Sequence, residues 1–297
     1  MNAKVIILMV CLFSLVSCSG DWHDERVVSS PPVISNAVKA EKNERILISL
    51  AEQYPNSDYD AIMKEAAKVH CYSGKSLAYL GASLVNLPEC DLARYMVEKA
   101  FGCEVTAYGH GGYGYASSQN LQDYARNMNQ HDVYIIWGTT NDYSLDVSVG
   151  GSSDYTEEDG YDESKLNTAC GGMNYVIVQA RRINPKAIVL GYSTVKIFNG
   201  LRLDGSMRNS AHTNLAGYHF FDYVDAQLAC FERQNVPCLN VWDWEYFTHS
   251  NWTDHYQEDG THLLYSGYFF LAMEHIKFLT KIAHNDFDMG VTVRTHV

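Results

Sequence analysis

Short apolar runs alternate with helix-length amphipathic segments from about residue 76 to residue 281 of this chain. Five runs have the length and composition of buried strands, at 76–80, 104–108, 133–137, 187–192 and 237–241. Segments with helical periodicity lie between and after them, at 91–101, 120–128, 167–183, 218–234 and 265–281. Because strands that alternate with helices pair in parallel, the pattern predicts an α/β fold in three layers (α/β/α), with a five-stranded, mostly parallel sheet in the middle.

Two polar helical patterns, at about 36–54 and 59–69, precede the first apolar run. They predict an N-terminal helical extension over residues 36–70, followed by one α/β domain over residues 71–297. The 297-residue chain has no internal repeat and no second group of apolar runs that would form another core.

The first four residues include a single lysine, and thirteen uncharged residues at 5–17 lead from it to Cys18. This run is too short to cross a bilayer as a mature helix and fits a signal peptide over residues 1–17. Its end, Leu-Val-Ser-Cys, resembles the lipobox of bacterial lipoproteins, which implies a lipid on Cys18 and a linker over 18–35. The acidic stretch SGDWHDE resembles export tails of Bacteroides-like lipoproteins, which implies an outer-membrane anchor. An ordinary secretory signal is the alternative, and either one exports the protein.

An oxidising compartment permits disulfides among the cysteines that remain after the signal. The absence of a Cys-x-x-Cys pair argues against a zinc site built on thiolates. Cys230 and Cys238 flank one helix-to-strand loop and are the candidate pair. The remaining cysteines are Cys71, Cys90, Cys103, Cys170, Cys230 and Cys238.

Acidic residues outnumber basic ones 35 to 22, and no cluster of lysine or arginine is present. This composition argues against electrostatic binding of nucleic acid. The acidic run at 156–164 lacks the oxygen-ligand spacing of a calcium loop and fits a solvated surface. We therefore expect no metal, no nucleic-acid partner and no membrane contact beyond the lipid anchor, while the oligomeric state stays open.

The glycine-rich sequence GHGGYG at 109–114 matches the dinucleotide-binding pattern G-x-G-x-x-G. It follows the second predicted strand rather than the first, and the acidic Asp132 lies at the start of the next strand, on the opposite edge of the sheet. These positions argue against NAD. Glycines at a carboxyl edge also suit an oxyanion hole, where backbone N–H groups must approach a developing negative charge.

Polar residues follow other strands at the same carboxyl edge. Open α/β sheets bind ligands at this edge. Three long connections also leave from it, at 142–166, 193–217 and 242–258. Ser83 follows the first strand, with Gly81 giving the chain room to turn, and Asn141 follows the third. Asp259 and His262 are three residues apart near the C-terminus. One turn can hold this pair side by side, with the carboxylate accepting the imidazole Nδ1–H.

These segments, in this order, resemble the SGNH (GDSL-type) hydrolase family from about residue 76 to residue 281, most specifically in DGTH and the residues after it. The resemblance implies a flavodoxin-like SGNH hydrolase fold with Ser83 as nucleophile and His262 and Asp259 as its partners. It also implies an oxyanion hole made of the Ser83 N–H, the Gly114 N–H and the side-chain amide of Asn141. Gly114 is chosen over Gly112 because the sequence after it best fits the family.

Two positions depart from the family pattern. Ala82 replaces the aspartate of Gly-Asp-Ser, and two residues rather than one separate Gly138 from Asn141. Neither change removes a reacting group, but the first can alter the hydrogen bonding behind the nucleophile.

The resemblance implies a serine esterase that needs no cofactor, and the N-terminal segment implies that it is exported. The loop before the catalytic pair is rich in aromatic residues and poor in Leu and Ile, which favours short acyl groups, such as acetyl, on a carbohydrate. Trp244, Trp252 and Tyr256 are the candidate substrate-binding residues. The alternatives are a lipase or thioesterase for longer acyl chains, and a non-catalytic carbohydrate-binding lipoprotein on the same fold.

Overall fold

The computed structural model describes residues 36–118, 120–198, 213–248 and 250–284. The predicted signal peptide, Cys18 and the linker after it lie outside these residues. Within them, no helix combines the length and the apolar composition that a membrane span requires.

One sheet of five strands runs through the molecule, formed by β1 (Ser76–Gly81), β2 (Glu104–Gly109), β3 (Val133–Trp137), β4 (Ile188–Tyr192) and β5 (Cys238–Leu239). The strand order is β2-β1-β3-β4-β5, and every pairing is parallel. The predicted five-stranded sheet is therefore confirmed, as fully rather than mostly parallel. The central strands are continuous apolar runs because helices cover both of their faces.

The helices of the described residues are α1 (Asn36–Gln53), α2 (Tyr59–Ala66), α3 (Ser83–Asn86), α4 (Cys90–Phe101), α5 (Leu121–Asn127), α6 (Asn141–Ser144), α7 (Ala169–Ile183), α8 (Phe220–Arg233) and α9 (Tyr265–Ala283). All but two match a predicted helical segment to within a few residues. The two exceptions, α3 and α6, are single turns that begin at Ser83 and Asn141. Both candidate residues therefore lie where a strand passes into the N-terminus of a helix.

Each face of the sheet has its own core, because successive strand residues point to opposite sides. Tyr79 and Trp137 pack on one side with α1, α2, α4 and α9. Leu80 and Ile136 pack on the other side with α5, α7 and α8. These four side chains are at most 1% exposed. Burial of an aliphatic side chain such as Leu80 stabilises the fold by about 2 kcal/mol relative to an exposed position.

The N-terminal helices extend the first of these cores. Leu47 and Leu50 of α1 and Ile62 and Ala66 of α2 are buried in the same cluster as α4 and α9. α1 packs on α4, and α2 packs on α9. The helical extension is thus part of one folded unit with the sheet.

The cysteines of the described residues carry free thiols, and the proposed Cys230–Cys238 pair is wrong. Cys230 faces α7 instead, where its Sγ lies 3.9 Å from the carbonyl oxygen of Cys170. The two predicted partners are close in sequence, but the orientation of α8 turns Cys230 toward the neighbouring helix.

Candidate active site

Ser83 is the first residue of α3, directly beyond the carboxyl end of β1. The chain can turn here because Gly81 has no side chain: a Cβ at Gly81 would lie 2.6 Å from Cγ2 of Val85 and 3.1 Å from Cβ of Trp137. The first N–H groups of a helix have no partner within the helix. Among the described residues the Ser83 N–H donates no hydrogen bond, so it is available to an anion beside the Ser83 hydroxyl.

His262 brings an imidazole ring to the Ser83 hydroxyl. Its Nε2 lies 2.9 Å from Ser83 Oγ, and its Nδ1 is hydrogen-bonded to the Asp259 carboxylate. The carboxylate also accepts the backbone N–H groups of Thr261 at 2.9 Å and His262 at 3.0 Å. With the ring proton on Nδ1 donated to Asp259, Nε2 is left to accept the proton of Ser83.

The hydrogen bonds around Asp259 control its charge. Burial acts to raise the pKa of this carboxyl, but the hydrogen bond with the His262 side chain and the two backbone N–H donors outweigh it and lower the pKa to about 2. Asp259 is therefore ionised in neutral solution. A fixed negative charge at Nδ1 holds the ring orientation and favours protonation at Nε2 when a proton arrives from Ser83.

The two other oxyanion candidates lie in adjoining loops. The side-chain amide of Asn141 donates one N–H to the carbonyl oxygen of Tyr113 at 2.9 Å, which leaves its second N–H for another acceptor. The single N–H of Gly114 donates to Ser117 Oγ at 3.2 Å. An anion bound by Gly114 must therefore share or displace this contact. Gly111 also approaches the nucleophile, since a Cβ built on it would lie 3.8 Å from Ser83 Cβ.

Asp142 links these loops, and the sequence reasoning missed it. Its carboxylate is fully buried and accepts the backbone N–H groups of Tyr115 at 2.8 Å and Ala116 at 3.0 Å. A Cβ on Gly114 would lie only 2.3 Å from Asp142 Oδ1, so this close approach requires glycine. Burial raises the pKa of Asp142 to about 6, against the opposing effect of its backbone N–H donors. Because Asp142 directly follows Asn141 in the chain, its contacts hold the Gly114 loop beside Asn141.

Contacts through Thr139 and Gln227 also position Asn141. Its backbone N–H donates to Thr139 Oγ1 at 3.1 Å, and that hydroxyl donates to the Tyr113 carbonyl at 3.3 Å. Gln227 of α8 donates its side-chain amide to the Thr139 carbonyl at 2.8 Å. No local sequence signal reveals Gln227, because it is 88 residues from its partner.

The three aromatic candidates have different positions. Tyr256 is 2% exposed and packs against Phe247 in the core, which leaves little of its ring for a substrate to contact. Trp252 is half-buried and stacks parallel to Phe198 with ring centroids 6.3 Å apart. The backbone N–H of Phe198 donates to the carbonyl of Gly260, beside Asp259, so this ring pair adjoins the catalytic turn. Trp244 is half-buried and lies in a separate cleft that Ser83 does not line.

Ala82, the departure from the family motif, is buried at the N-cap of α3 and provides no side-chain hydrogen bond there. An aspartate would supply an acceptor at this point, since carboxylates cap helix N-termini. The contacts of Ser83 with His262 are present without it. Within the described ranges, no group of three or more His, Cys, Asp or Glu side chains has an arrangement that would hold a metal ion.

No protein-family model and no curated protein matches the sequence. Among solved structures, a protein from Lactobacillus plantarum is 22% identical and is similar over 70% of this chain and 97% of its own, with a TM-score of 0.57. A possible lipase from Chitinophaga pinensis is 15% identical and is similar over 70% of this chain and 98% of its own, with a TM-score of 0.50. At these identities the similarity establishes the fold. The chain therefore shares the parallel α/β fold of these two proteins, which is the fold class expected from the motifs that resemble the SGNH (GDSL-type) hydrolases.

Proposed function

We propose that this chain is a serine esterase with Ser83 as nucleophile, His262 as general base and Asp259 as the residue that orients the imidazole. The observation that carries the proposal is the 2.9 Å separation of Ser83 Oγ and His262 Nε2, with the other ring nitrogen bonded to Asp259. Ser83 and His262 are 179 residues apart in the chain and meet at the carboxyl edge of the sheet, where open α/β folds bind ligands.

The proposed reaction has two stages. Ser83 Oγ attacks the carbonyl carbon of an ester while its proton passes to Nε2 of His262. His262 then gives this proton to the leaving alcohol oxygen, which leaves an acyl group on Ser83. Water then attacks the carbonyl carbon of the acyl group while its proton passes to His262, and His262 returns that proton to Ser83 Oγ as the carboxylic acid is released. The ionised Asp259 stabilises the imidazolium form in both stages.

The negative charge that develops on the carbonyl oxygen needs donors fixed before the reaction begins. We propose that the Ser83 N–H, the second N–H of the Asn141 amide and the Gly114 N–H supply them. Support comes from the unused N–H at the start of α3 and from the Asp142 carboxylate, which holds the Gly114 loop rigidly beside α6. Gly114 must weaken its bond to Ser117 to take part.

A short acyl group on a carbohydrate is the substrate that we propose. The half-buried Trp252 stacks with Phe198 next to the catalytic turn, and the flat face of an aromatic ring suits the apolar face of a sugar. The loop that carries Trp252 has no leucine or isoleucine between 242 and 262, whereas a site for a long acyl chain needs an aliphatic lining.

A series of p-nitrophenyl esters from C2 to C12, measured beside acetylated xylan and pectin oligosaccharides, tests this substrate class. We expect kcat/KM to be highest for C2 to C4 esters and acetate to be released from at least one glycan. A preference for C8 or longer, with no acetate from any glycan, would favour the lipase or thioesterase. Absence of turnover on every ester would favour a non-catalytic carbohydrate-binding protein.

We propose that the protein is exported and anchored to the outer membrane by a lipid on Cys18. The support is the uncharged run that ends at this cysteine, since two or more acyl chains give stable membrane attachment. The wild-type protein should appear in the membrane fraction of a bacterial host, and Cys18→Ser should become a soluble exported protein. Equal amounts of both proteins at the membrane would contradict the anchor.

A further inference from the structure

A cleft of about 500 Å³ opens between the turn that joins α1 to α2, the loop after β5, and α9. None of Ser83, Asn141, Asp259 and His262 lines it. Its α9 residues, Phe270 to Lys277, lie about 8 to 18 Å along the helix axis from the first residue of α9. The cleft is thus separate from the proposed catalytic site, although the loop after β5 contributes to both.

One wall of the cleft is a stack of aromatic rings. Trp244 stacks on Tyr246 with centroids 5.2 Å apart and an interplanar angle of 20°, and Tyr246 lies 4.2 Å from Phe270. Tyr54 meets Phe270 edge-on at 5.0 Å. Trp244, Tyr246 and Tyr54 are each half-buried, so packing fixes their rings while part of each ring stays accessible. A rigid aromatic surface of this kind binds a flat apolar ligand face with little loss of side-chain entropy.

The polar residues that line the cleft, here called the rim, carry little net charge. Asn56 is exposed, and its side-chain amide can both donate and accept hydrogen bonds. Lys277 and Glu274 of α9 form an ion pair at 2.6 Å, so their charges offset each other. The carboxylate of Asp58 remains. A rim with paired charges and one extra carboxylate disfavours an anion and suits a neutral ligand with many hydroxyl groups.

We propose that this cleft binds a neutral sugar residue of a glycan, as a second carbohydrate site apart from the catalytic one. Its volume lies in the range of small-molecule sites and accommodates one or two sugar residues. An aromatic wall for the apolar ring face and a polar rim for the hydroxyl groups are the two elements that a sugar requires. Binding here does not depend on ester hydrolysis, so it stands or fails separately from the proposed function.

A neighbouring cleft of about 480 Å³ lies along the same turn and shares Tyr54, Asn56 and Asp58 with the first. A chain of sugars can therefore continue across the turn beyond the residue that stacks on Trp244. We expect affinity to rise from the monosaccharide to the hexasaccharide, because additional residues gain contacts in the second cleft.

The test is isothermal titration calorimetry of the full-length protein with xylohexaose, cellohexaose and mannohexaose. The Ser83→Ala variant is used because it lacks the proposed nucleophile and cannot hydrolyse an ester. At least one hexasaccharide should bind with a Kd of about 1 mM or tighter. Trp244→Ala, Asn56→Ala and Lys277→Ala should each weaken that binding, with Trp244→Ala causing a loss of about tenfold or more. Asn56 and Lys277 are exposed rim residues, so their variants test the site even if Trp244→Ala disturbs the fold.

Lys68→Ala is the matched control, because Lys68 forms an exposed i,i+3 ion pair with Glu65 at the same 2.6 Å distance, but lies two residues beyond the end of α2, outside the cleft. Its affinity should equal that of the parent. The proposal is overturned if no hexasaccharide binds, if the rim and wall variants bind as tightly as the control, or if choline, a quaternary ammonium probe for aromatic sites, binds and the sugars do not.

Discussion

Ser83→Ala and His262→Ala should each lower the rate of ester hydrolysis by about 10⁴-fold or more, because the members of a catalytic triad act as a unit. Removal of Oγ eliminates the atom that attacks the carbonyl carbon. Removal of the imidazole leaves the Ser83 proton without its acceptor 2.9 Å away. The double variant should be about as slow as either single one, and kcat for p-nitrophenyl acetate is the quantity to measure.

Exposed residues of the same types provide the controls. Ser164, in a short 3-10 helix (Glu163–Lys165), and His284, just beyond α9, are both exposed. Ser164→Ala and His284→Ala should keep the wild-type rate. Thermal unfolding of all four single variants separates loss of chemistry from loss of fold. A near-wild-type rate in Ser83→Ala or His262→Ala would overturn the assignment.

Asn141→Ala should lower kcat by about 10² to 10³-fold with a much smaller change in KM, because an oxyanion donor acts mainly in the transition state. The side chain has one N–H committed to the Tyr113 carbonyl and one left for the substrate oxygen. Steady-state kinetics on a short-chain ester measures both constants. A change in KM alone would make Asn141 a substrate-binding residue.

Asn127→Ala is the matched control for this variant. Asn127 also uses its side-chain amide on a backbone carbonyl, that of Asp123, but on the exposed surface of α5. Its kcat should be unchanged. If Asn127→Ala and Asn141→Ala lose activity equally, the loss reflects general destabilisation rather than a missing donor.

The sheet and the long helices could be predicted from the sequence because each is long enough to show its period. The four-residue helices α3 and α6 could not, since a single turn has no periodicity. These two short helices are important for the site because Ser83 and Asn141 are their first residues. The sequence located Ser83 and Asn141 at strand ends, and the structure adds that each begins a helix.

Contacts within one turn were also accessible to sequence reasoning. The spacing of Asp259 and His262 predicts a side-by-side pair, and their side chains are hydrogen-bonded. The pairing of Asp142 with the backbone at Tyr115 spans 27 residues, and no local pattern in the sequence marks it. Asp142 follows Asn141 and resembles an ordinary turn residue until the loop that it binds is known.

Burial of polar and aromatic side chains is the other property that the sequence did not reveal. Tyr256 belongs to an aromatic loop that suggests a binding surface, yet it is 2% exposed. His275 of α9 is fully buried and stacks on Tyr192 at 3.8 Å, and burial lowers its pKa to about 3. Which ring points inward depends on how the loop and helix pack on the sheet, and composition carries no information about that.

Covalent labelling with a fluorophosphonate, followed by peptide mass spectrometry, tests the central claim most directly, because this reagent phosphonylates a serine only when the serine is activated. The pH dependence adds a second criterion. Asp259, with its pKa lowered to about 2, stays ionised throughout the range from pH 5 to pH 8, in which histidine side chains change charge. We expect one phosphonate per chain, on Ser83, formed faster at pH 8 than at pH 5 and abolished in His262→Ala. Label on another residue, no label on the folded wild-type protein, or equal labelling of His262→Ala would contradict the account.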